Sequence, residues 1–206
     1  MLKRNEESPF LKQLITGDEK WIIYINIKRK RSWVKPNDSP IQQPKADLHP
    51  KKVLLSVWWD WKGIIYYELL PNNETINADK YCHQLDELKD AVHKKRPELA
   101  NRKGVIFHHD NARPHVAKSV LQKISDFGWE VLSHPAYSPD MAPSDYHLFR
   151  SLQNSLDGKE YRSLEDVKIH LDKYFSQQPR QFFSDGIMKL PERWRHIINH
   201  HGVYIV

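Results

Sequence analysis

The feature that most constrains the fold is a change of hydrophobic period near Asn77. Before it, β-branched and aromatic residues form strand-type runs at 21–27, 52–60 and 64–70. Such consecutive runs, joined by short turns and one longer loop, are expected to pair antiparallel. After Asn77, apolar residues are spaced four, three and four apart, which is typical of a helix with Asn77 at its N-cap. The apolar helical positions are Tyr81, Leu85, Leu88 and Val92.

Beyond this helix, strand and helix patterns alternate. A short strand at 104–110 is followed by a helix at about 114–127, a strand at 129–132 and further helices from Ser144 onward. A meander followed by alternating elements predicts an α/β architecture, in which a mixed sheet carries helices on both faces. This order fits the ribonuclease H-like fold, and the pattern alone leaves other α/β layouts open.

Two segments near the N-terminus surround the first strand. Residues 1–17 are a lead-in, in which residues 10–15 are predicted to form one or two helical turns that end at Gly17. Residues 28–31 (KRKR) are predicted to form a basic turn, after which residues 32–35 return as the second strand of a hairpin.

The segment 36–51 carries four prolines and almost no aliphatic side chains. Each proline lacks an amide donor and restricts the residue before it, so regular structure is not expected there. A loop of this length inside a compact chain is uncommon and is usually functional or mobile. A functional loop and a surface loop without a role are both open interpretations at this point.

The composition restricts the class of protein further. With 39% hydrophobic residues, 7 Trp, 9 Tyr and 7 Phe, the 206-residue chain can form a sizeable core. Its one cysteine, Cys82, excludes an internal disulfide and a zinc site built from several cysteines. No apolar run is long enough for a transmembrane helix. A net charge of +6 is compatible with a polyanionic partner such as nucleic acid.

Two candidate functional carboxylates stand where strands are predicted to begin or end. Asp18, with Glu19 beside it, lies just before the strand at 21–27, and Asp110 comes directly after an apolar run. In open α/β sheets, functional groups gather where strands end and the backbone turns away from the core. An aspartate in such a place can also simply cap the following helix, so both interpretations stay open.

A third candidate, Asp145, follows two prolines and Ser144, the expected N-cap of a helix. The positive end of the helix dipole favours an anion in this first turn. The alternatives are that Asp145 is only a favourable first-turn acid, or that Asp140 in the preceding turn takes its place.

Carboxylates from three separate elements suit Mg²⁺ or Mn²⁺, which prefer oxygen ligands. Two such ions about 3.5–4 Å apart can activate a water or a 3′-hydroxyl against a phosphodiester.

Three blocks of the sequence resemble the catalytic blocks of mariner transposases. The blocks are residues 16–21 (TGDEKW), 108–115 (HHDNARPH) and 137–146 (YSPDMAPSDY). The 34 residues between Asp110 and Asp145 match the family's spacing between its second and third catalytic aspartates. Met141 stands where the family usually has Leu, and the similarity runs over most of residues 10–206.

The resemblance implies a catalytic site and a reaction. By position, Asp18, Asp110 and Asp145 would be the catalytic residues and would bind the metal, as two Mg²⁺ or Mn²⁺ ions. The family's catalytic domain has the ribonuclease H-like fold. Its reaction is cut-and-paste DNA transposition, in which both strands are cleaved by hydrolysis at the transposon ends and then joined into a TA target.

The resemblance also implies partners and an organisation. The partners would be DNA, as inverted-repeat ends and a TA target, and a second subunit in a homodimer; no membrane contact is expected. Residues 36–51 fall where the family has a clamp loop that reaches the partner subunit. Residues 1–206 would form one catalytic domain, without the N-terminal helix-turn-helix region that recognises the inverted repeats. The expected location is the nucleus.

Basic and polar residues near these blocks are candidates for contacts with the DNA backbone. The alternative is that they are solvated surface residues. His108 and His109 are expected to support the turn at Asp110 or to contact a phosphate rather than to bind the metal, because imidazole suits Zn²⁺ better than Mg²⁺. The candidates for DNA contacts are Lys28, Arg29, Lys30, Arg31, Asn111, Arg113 and His115.

Two other functions stay open at this stage. The chain could be a truncated or domesticated remnant that binds DNA without cleaving it. It could also be a nuclease for other DNA structures, since one fold supports many functions. A relative that fuses this domain to a SET methyltransferase carries Asn at the third catalytic position, whereas this chain has Asp145. A name taken from that fusion would therefore not predict methyltransferase activity here.

Overall fold

The computed structural model describes residues 1–26, 50–71 and 74–205. The basic run 28–31, the returning strand 32–35 and residues 36–49 of the proline-rich segment lie outside these described residues. Within them, no helix is both long enough and apolar enough to cross a membrane.

A five-stranded mixed sheet forms the centre of the described structure. Its order is β3-β2-β1-β4-β5, with β1 antiparallel to β2, β2 antiparallel to β3, and the pairs β1–β4 and β4–β5 parallel. The strands are β1 (Leu14–Ile23), β2 (Lys52–Asp60), β3 (Gly63–Leu70), β4 (Ile106–His108) and β5 (Glu130–Val131).

Helices cover both faces of this sheet. They are α1 (Leu2–Glu7), α2 (Ala78–Lys95), α3 (Lys118–Asp126), α4 (Arg150–Leu156), α5 (Leu164–Gln177), α6 (Arg180–Met188) and α7 (Leu190–Asn199). Shorter helical turns occur at Leu11–Gln13, Leu99–Lys103, Pro139–Met141 and Ser144–Phe149, and the last of these continues directly into α4. The predicted N-cap of α2 is confirmed, because the Asn77 side chain accepts a hydrogen bond from the Lys80 amide at 2.8 Å.

Two hydrophobic cores lie on the two faces of the sheet. Alternation along the strands sends Leu14 and Trp59 into the core under α4 to α7, and Ile15 and Trp58 into the core under α2 and α3. All four side chains are fully buried. The predicted mixed sheet with helices on both faces is therefore what the chain forms.

The start of the first strand was predicted wrongly. Strand β1 begins at Leu14 instead of residue 21, and the expected helical segment at 10–15 shrinks to a single turn at Leu11–Gln13. The reason is that a central strand is buried on both faces, so Leu14 and Ile15 are both apolar without alternation. Such a run cannot be distinguished from a buried helix by period alone.

Gly17 allows β1 and β2 to approach each other closely beside Asp18. It stands opposite Trp58 in the antiparallel register, and a Cβ at this position would overlap the Trp58 indole. Trp58 is fully buried in the core under α2 and α3, so the indole cannot easily move aside.

We expect Gly17→Ala to destabilise the protein by about 1–3 kcal/mol through overpacking. In a Trp58→Phe background the smaller ring leaves room for the methyl group, so the cost should fall by at least half. Chemical denaturation of the four proteins of this double-mutant cycle measures the coupling. Equal costs in the two backgrounds would show that the indole is not what excludes a side chain at residue 17.

Candidate active site

Asp18 lies within the central strand of the sheet. It was expected just before a strand, but β1 continues through it to Ile23, and Asp18 pairs with Val57 of β2. Its Oδ1 accepts a hydrogen bond from the amide of Glu19 at 2.7 Å. Desolvation raises the pKa of Asp18 well above its usual value, and the charges of Asp145, Glu19 and Asp110 raise it further.

Asp110 follows the short parallel strand β4, as the sequence predicts. The register pairs Thr16 of β1 with His108 of β4, so Asp18 and Asp110 each stand two residues beyond a paired position. Asp110 Oδ1 accepts hydrogen bonds from the Ala112 amide at 2.9 Å and from His115 Nδ1 at 2.6 Å. Burial alone would raise the pKa of Asp110, but these bonds lower it to about 2.

Asp145 enters from the first turn of the helical segment Ser144–Phe149. Its position in a first turn was predicted, but Ser144 is not the cap. Ser144 is already helical and buried, and its hydroxyl accepts a hydrogen bond from Trp59 Nε1 at 3.1 Å, while Pro143 occupies the cap position. A buried indole N–H usually finds an acceptor, and here the Ser144 hydroxyl serves Trp59 instead of capping the helix.

The three aspartates influence one another electrostatically. Burial raises the pKa of Asp145 to about 6, the charge of Asp110 contributes to this rise, and the ammonium of Lys20 opposes it. The pKa of Asp18 is likewise raised by the charges of Asp145 and Asp110. Asp110 and Asp145 follow Asp18 by 92 and 127 positions in the chain, and the fold brings all three aspartates to the same end of the sheet.

The oxygen-rich, negatively charged surroundings of the three aspartates suit Mg²⁺ or Mn²⁺. Four carboxylates, those of the three aspartates and Glu19, stand against two cations, Lys20 and the protonated His115. Glu19 Oε1 is buried and has no hydrogen-bond partner among the described residues. A partly desolvated excess of negative charge is unfavourable and favours a divalent cation.

The carboxylates are close enough to interact but are not gathered into a finished metal cage. In the part of the chain that the structure describes, no three His, Cys, Asp or Glu side chains converge enough to hold an ion by themselves. Repulsion between like charges opposes such convergence. Mg²⁺ in particular takes few protein carboxylates and completes its shell with waters and substrate phosphates. The assignment of the three aspartates as catalytic stays a prediction.

An open cleft of about 390 Å³ leads to two of the aspartates. Asn111 is exposed and donates a hydrogen bond to the carbonyl of His134 at 2.7 Å. Arg113 is exposed on the same cleft. The cleft is lined by Asp110, Asn111, Arg113, His134, Tyr137 and Asp145, among others. Two of the predicted DNA-contact residues therefore lie beside the aspartates, where a phosphate could reach them.

His115 was predicted as a DNA contact, and the structure does not support that role. Its side chain is only 1% exposed, and its two ring nitrogens face Asp110 and Glu19. A buried imidazole with both nitrogens engaged has no donor left for a phosphate. The remaining predicted contacts, residues 28–31, lie outside the described residues.

His108 and His109 are buried beside Asp110, and support of the turn there stays a prediction. His108 Nδ1 lies 2.9 Å from Thr16 Oγ1 and its Nε2 lies 3.1 Å from His134 Nδ1. His109 Nδ1 lies 3.0 Å from the hydroxyl of Tyr81. Burial lowers the pKa of both histidines to about 3, so both are neutral at physiological pH.

Asp140, the rival of Asp145, has a structural role. It is buried, and its Oδ2 accepts a hydrogen bond from the Ile205 amide at 3.1 Å. Its backbone carbonyl accepts another from Arg193 at 2.7 Å. These contacts fasten the turn before Asp145 to the C-terminal part of the chain.

Lys20 is a site residue that the sequence analysis missed. It lies two residues after Asp18 in the same strand and therefore faces the same side of the sheet. Desolvation lowers the pKa of Lys20, while the charges of Asp145 and Asp18 oppose this decrease. The period of two along a strand would have indicated this neighbour if β1 had been predicted to include residues 18–20.

We expect Asp145→Asn to raise thermal stability in the presence of a chelator at pH 7.5. The folded pKa of about 6 exceeds the usual 3.8, so ionisation of Asp145 destabilises the fold progressively as pH rises through this interval. Because the side chain is partly exposed, we expect a screened effect of about 1 kcal/mol, or about 2–4 °C in Tm.

The gain should be smaller at pH 5 than at pH 7.5. Asp90→Asn, at an exposed aspartate in the middle of α2, provides a control with no expected gain at either pH. Scanning calorimetry measures the Tm of the parent and of both variants at the two pH values. A variant no more stable than the parent at pH 7.5 would show that Asp145 is not under electrostatic stress.

Comparisons with known proteins identify relatives of this chain. The family described as Transposase (partial DDE domain) matches residues 23–102. The Mariner Mos1 transposase of Drosophila mauritiana is 45% identical over 206 residues, which are 100% of this chain and 60% of that protein. The Histone-lysine N-methyltransferase SETMAR of Homo sapiens is 41% identical over 204 residues, 99% of this chain and 30% of that protein. The chain thus spans only part of either relative.

Solved structures extend the match to nearly a whole domain. The chain superposes on a pre-cleavage Mos1 transpososome with a TM-score of 0.96 and 45% identity, covering 100% of this chain and 60% of that one. It superposes on the catalytic domain of Mos1 mariner transposase with a TM-score of 0.85 and 43% identity, covering 100% of this chain and 90% of that one. These matches confirm the ribonuclease H-like fold, and the chain belongs to the mariner transposases, as a Mos1-like catalytic DDE domain.

Proposed function

We propose that this domain cleaves and joins DNA strands with divalent metal ions held by Asp18, Asp110 and Asp145. The observation that carries the proposal is that three separate elements bring these carboxylates to one end of the sheet, where each is within electrostatic range of the others. In a complete transposase the reaction would be hydrolysis at transposon ends, followed by strand transfer into a TA dinucleotide. The relatives solved with Mg or Mn support the choice of metal.

In this mechanism the protein side chains would position the metal ions and the DNA and would not themselves transfer protons. Mg²⁺ or Mn²⁺ bound here would supply an activated water or 3′-hydroxyl and stabilise the leaving oxygen. His115 has both nitrogens engaged, and His109 is hydrogen-bonded to Tyr81 in the core. Both imidazoles are buried and bonded within the protein, so we assign activation of the nucleophile to the metal ions rather than to these two side chains.

The proposed DNA partner enters along the cleft beside Asp110 and Asp145. Arg113 would contact a backbone phosphate, while Asn111, already bonded to the His134 carbonyl, would shape the cleft wall. Mos1 forms a paired-end complex with a transposon end, and we propose that a longer form of this chain also pairs ends as a homodimer. A clamp role for residues 36–51 and a nuclear location are parts of the same proposal.

We expect this chain to nick a supercoiled plasmid that carries mariner ends when Mn²⁺ or Mg²⁺ is added. Supplying an N-terminal DNA-binding region from Mos1 as a fusion should increase the rate and direct cleavage to the ends. Asp18→Asn, Asp110→Asn and Asp145→Asn should each abolish metal-dependent nicking, whereas Asp126→Asn should leave it unchanged.

The outcome separates this proposal from its rivals. Nicking by Asp145→Asn at the parental rate would overturn the catalytic assignment. Salt-sensitive DNA binding without any cleavage, in the fusion as well, would indicate a non-catalytic DNA-binding module. Faster cleavage of flapped or branched DNA without mariner ends would indicate a structure-specific nuclease.

We expect Arg113→Ala to weaken DNA binding similarly for all sequences and to reduce the slope of log K against log salt by about 1, because one phosphate contact is lost. Arg162→Ala, at another exposed arginine that does not line the cleft, is the matched control and should leave the slope unchanged. Fluorescence anisotropy over a salt series measures both. An unchanged slope for Arg113→Ala would place the DNA elsewhere.

A further inference from the structure

His115 forms a buried bridge between two strand-derived carboxylates. Its Nδ1 lies 2.6 Å from Asp110 Oδ1, and its Nε2 lies 3.3 Å from Glu19 Oε2. Asp110 follows β4, whereas Glu19 belongs to β1. The imidazole therefore ties the ends of two neighbouring strands together.

Both ring nitrogens of His115 are engaged in this bridge, one by each carboxylate. The imidazole therefore has no nitrogen left for another partner, and its orientation is tied to Asp110 and Glu19 together.

Aromatic packing fixes the plane of this imidazole. The Tyr81 ring lies 4.2 Å from the His115 ring, and the His109 ring stacks on it at 5.2 Å with an interplanar angle of 11°. Tyr81 and His109 are hydrogen-bonded to each other at 3.0 Å. The direction in which His115 donates to Asp110 is consequently set by the core.

The bridge uses only one oxygen of Asp110. Oδ1 accepts from both His115 and the Ala112 amide, whereas Oδ2 has no hydrogen bond to any residue that the structure describes. A carboxylate with one oxygen anchored in this way can rotate little, so the other oxygen is held in one direction.

We propose that Glu19 and His115 are a positioning pair, which orients Asp110 so that its second oxygen is presented to a divalent cation. The inference rests on the proposed function, because it assumes that Asp110 binds the metal. Neither residue is assigned contact with metal or substrate. Glu19 orients the imidazole, the imidazole orients Asp110, and the pair sets the position of Asp110 relative to Asp18 on the adjacent strand.

The test is Mn²⁺ binding to the intact chain, measured by isothermal titration calorimetry and by the loss of the free-ion electron paramagnetic resonance signal. His115→Asn keeps a donor where Nδ1 stood and should retain affinity within a few-fold. His115→Gln places its amide where Nε2 stood, loses the bond to Asp110, and should weaken Mn²⁺ binding about 10–100-fold. If His115 served only in packing, His115→Asn would not be expected to retain more Mn²⁺ affinity than His115→Gln.

Glu19→Gln provides a second, independent measurement if His115→Gln does not fold. It should weaken Mn²⁺ binding in the parent but have little further effect in a His115→Asn background, where Glu19 no longer acts through the ring. A purely direct effect of the Glu19 charge on the cation would be the same in both backgrounds. Asp126→Asn, at an exposed aspartate of α3 outside this cluster, is the control and should bind Mn²⁺ as the parent does.

Two failures can be told apart. If the parent shows no Mn²⁺ binding that depends on Asp110, the proposed metal site fails and the positioning role fails with it. If the parent binds Mn²⁺ through Asp110 but His115→Gln binds equally tightly, or Glu19→Gln has equal effects in both backgrounds, only the positioning role is overturned. Circular dichroism and Tm of every variant establish that folded proteins are compared.

Discussion

The parallel pairing of β1 with β4 is the constraint on which the rest of the site depends. Its register sets Thr16 opposite His108, and the buried contact between Thr16 Oγ1 and His108 Nδ1 at 2.9 Å joins the same two residues. With that register, Asp18 and Asp110 extend equally far along neighbouring chains. A slip of one residue would turn Asp18 to the opposite face of the sheet. The sheet therefore determines the site before any side chain is oriented.

The electrostatics divide the carboxylates into two kinds. Asp110 is held ionised by protein donors, and its pKa falls to about 2. Asp18 and Asp145 lack a comparable donor set, and desolvation together with mutual repulsion raises their pKa values. One carboxylate is thus prepared by the protein itself, while the other two gain most from an added positive charge. This is the arrangement expected of a site whose negative charge is balanced by metal ions.

Much of the architecture could be predicted because its signals are local. The period of the α2 stripe and the Asn77 cap depend only on residues within a few positions of each other. The errors occurred where a distant partner decided. Leu14 became part of a strand because both faces of β1 are covered, and Ser144 accepts a hydrogen bond from Trp59 instead of capping a helix. His115 was assigned to DNA because nothing in its neighbourhood along the chain shows that it is buried.

The sequence by itself determined the alternation of elements, the family and which three aspartates to examine, because residue types and spacings carry those signals without reference to distance. Only the tertiary structure decided that Glu19 and Asp110 share one imidazole, that Lys20 lies beside Asp18 and Asp145, and that Asp140 is structural. These facts depend on strand register and on which face of the sheet is buried. The register and the buried face are set by packing between segments that are far apart in the chain, so a local sequence pattern cannot predict them.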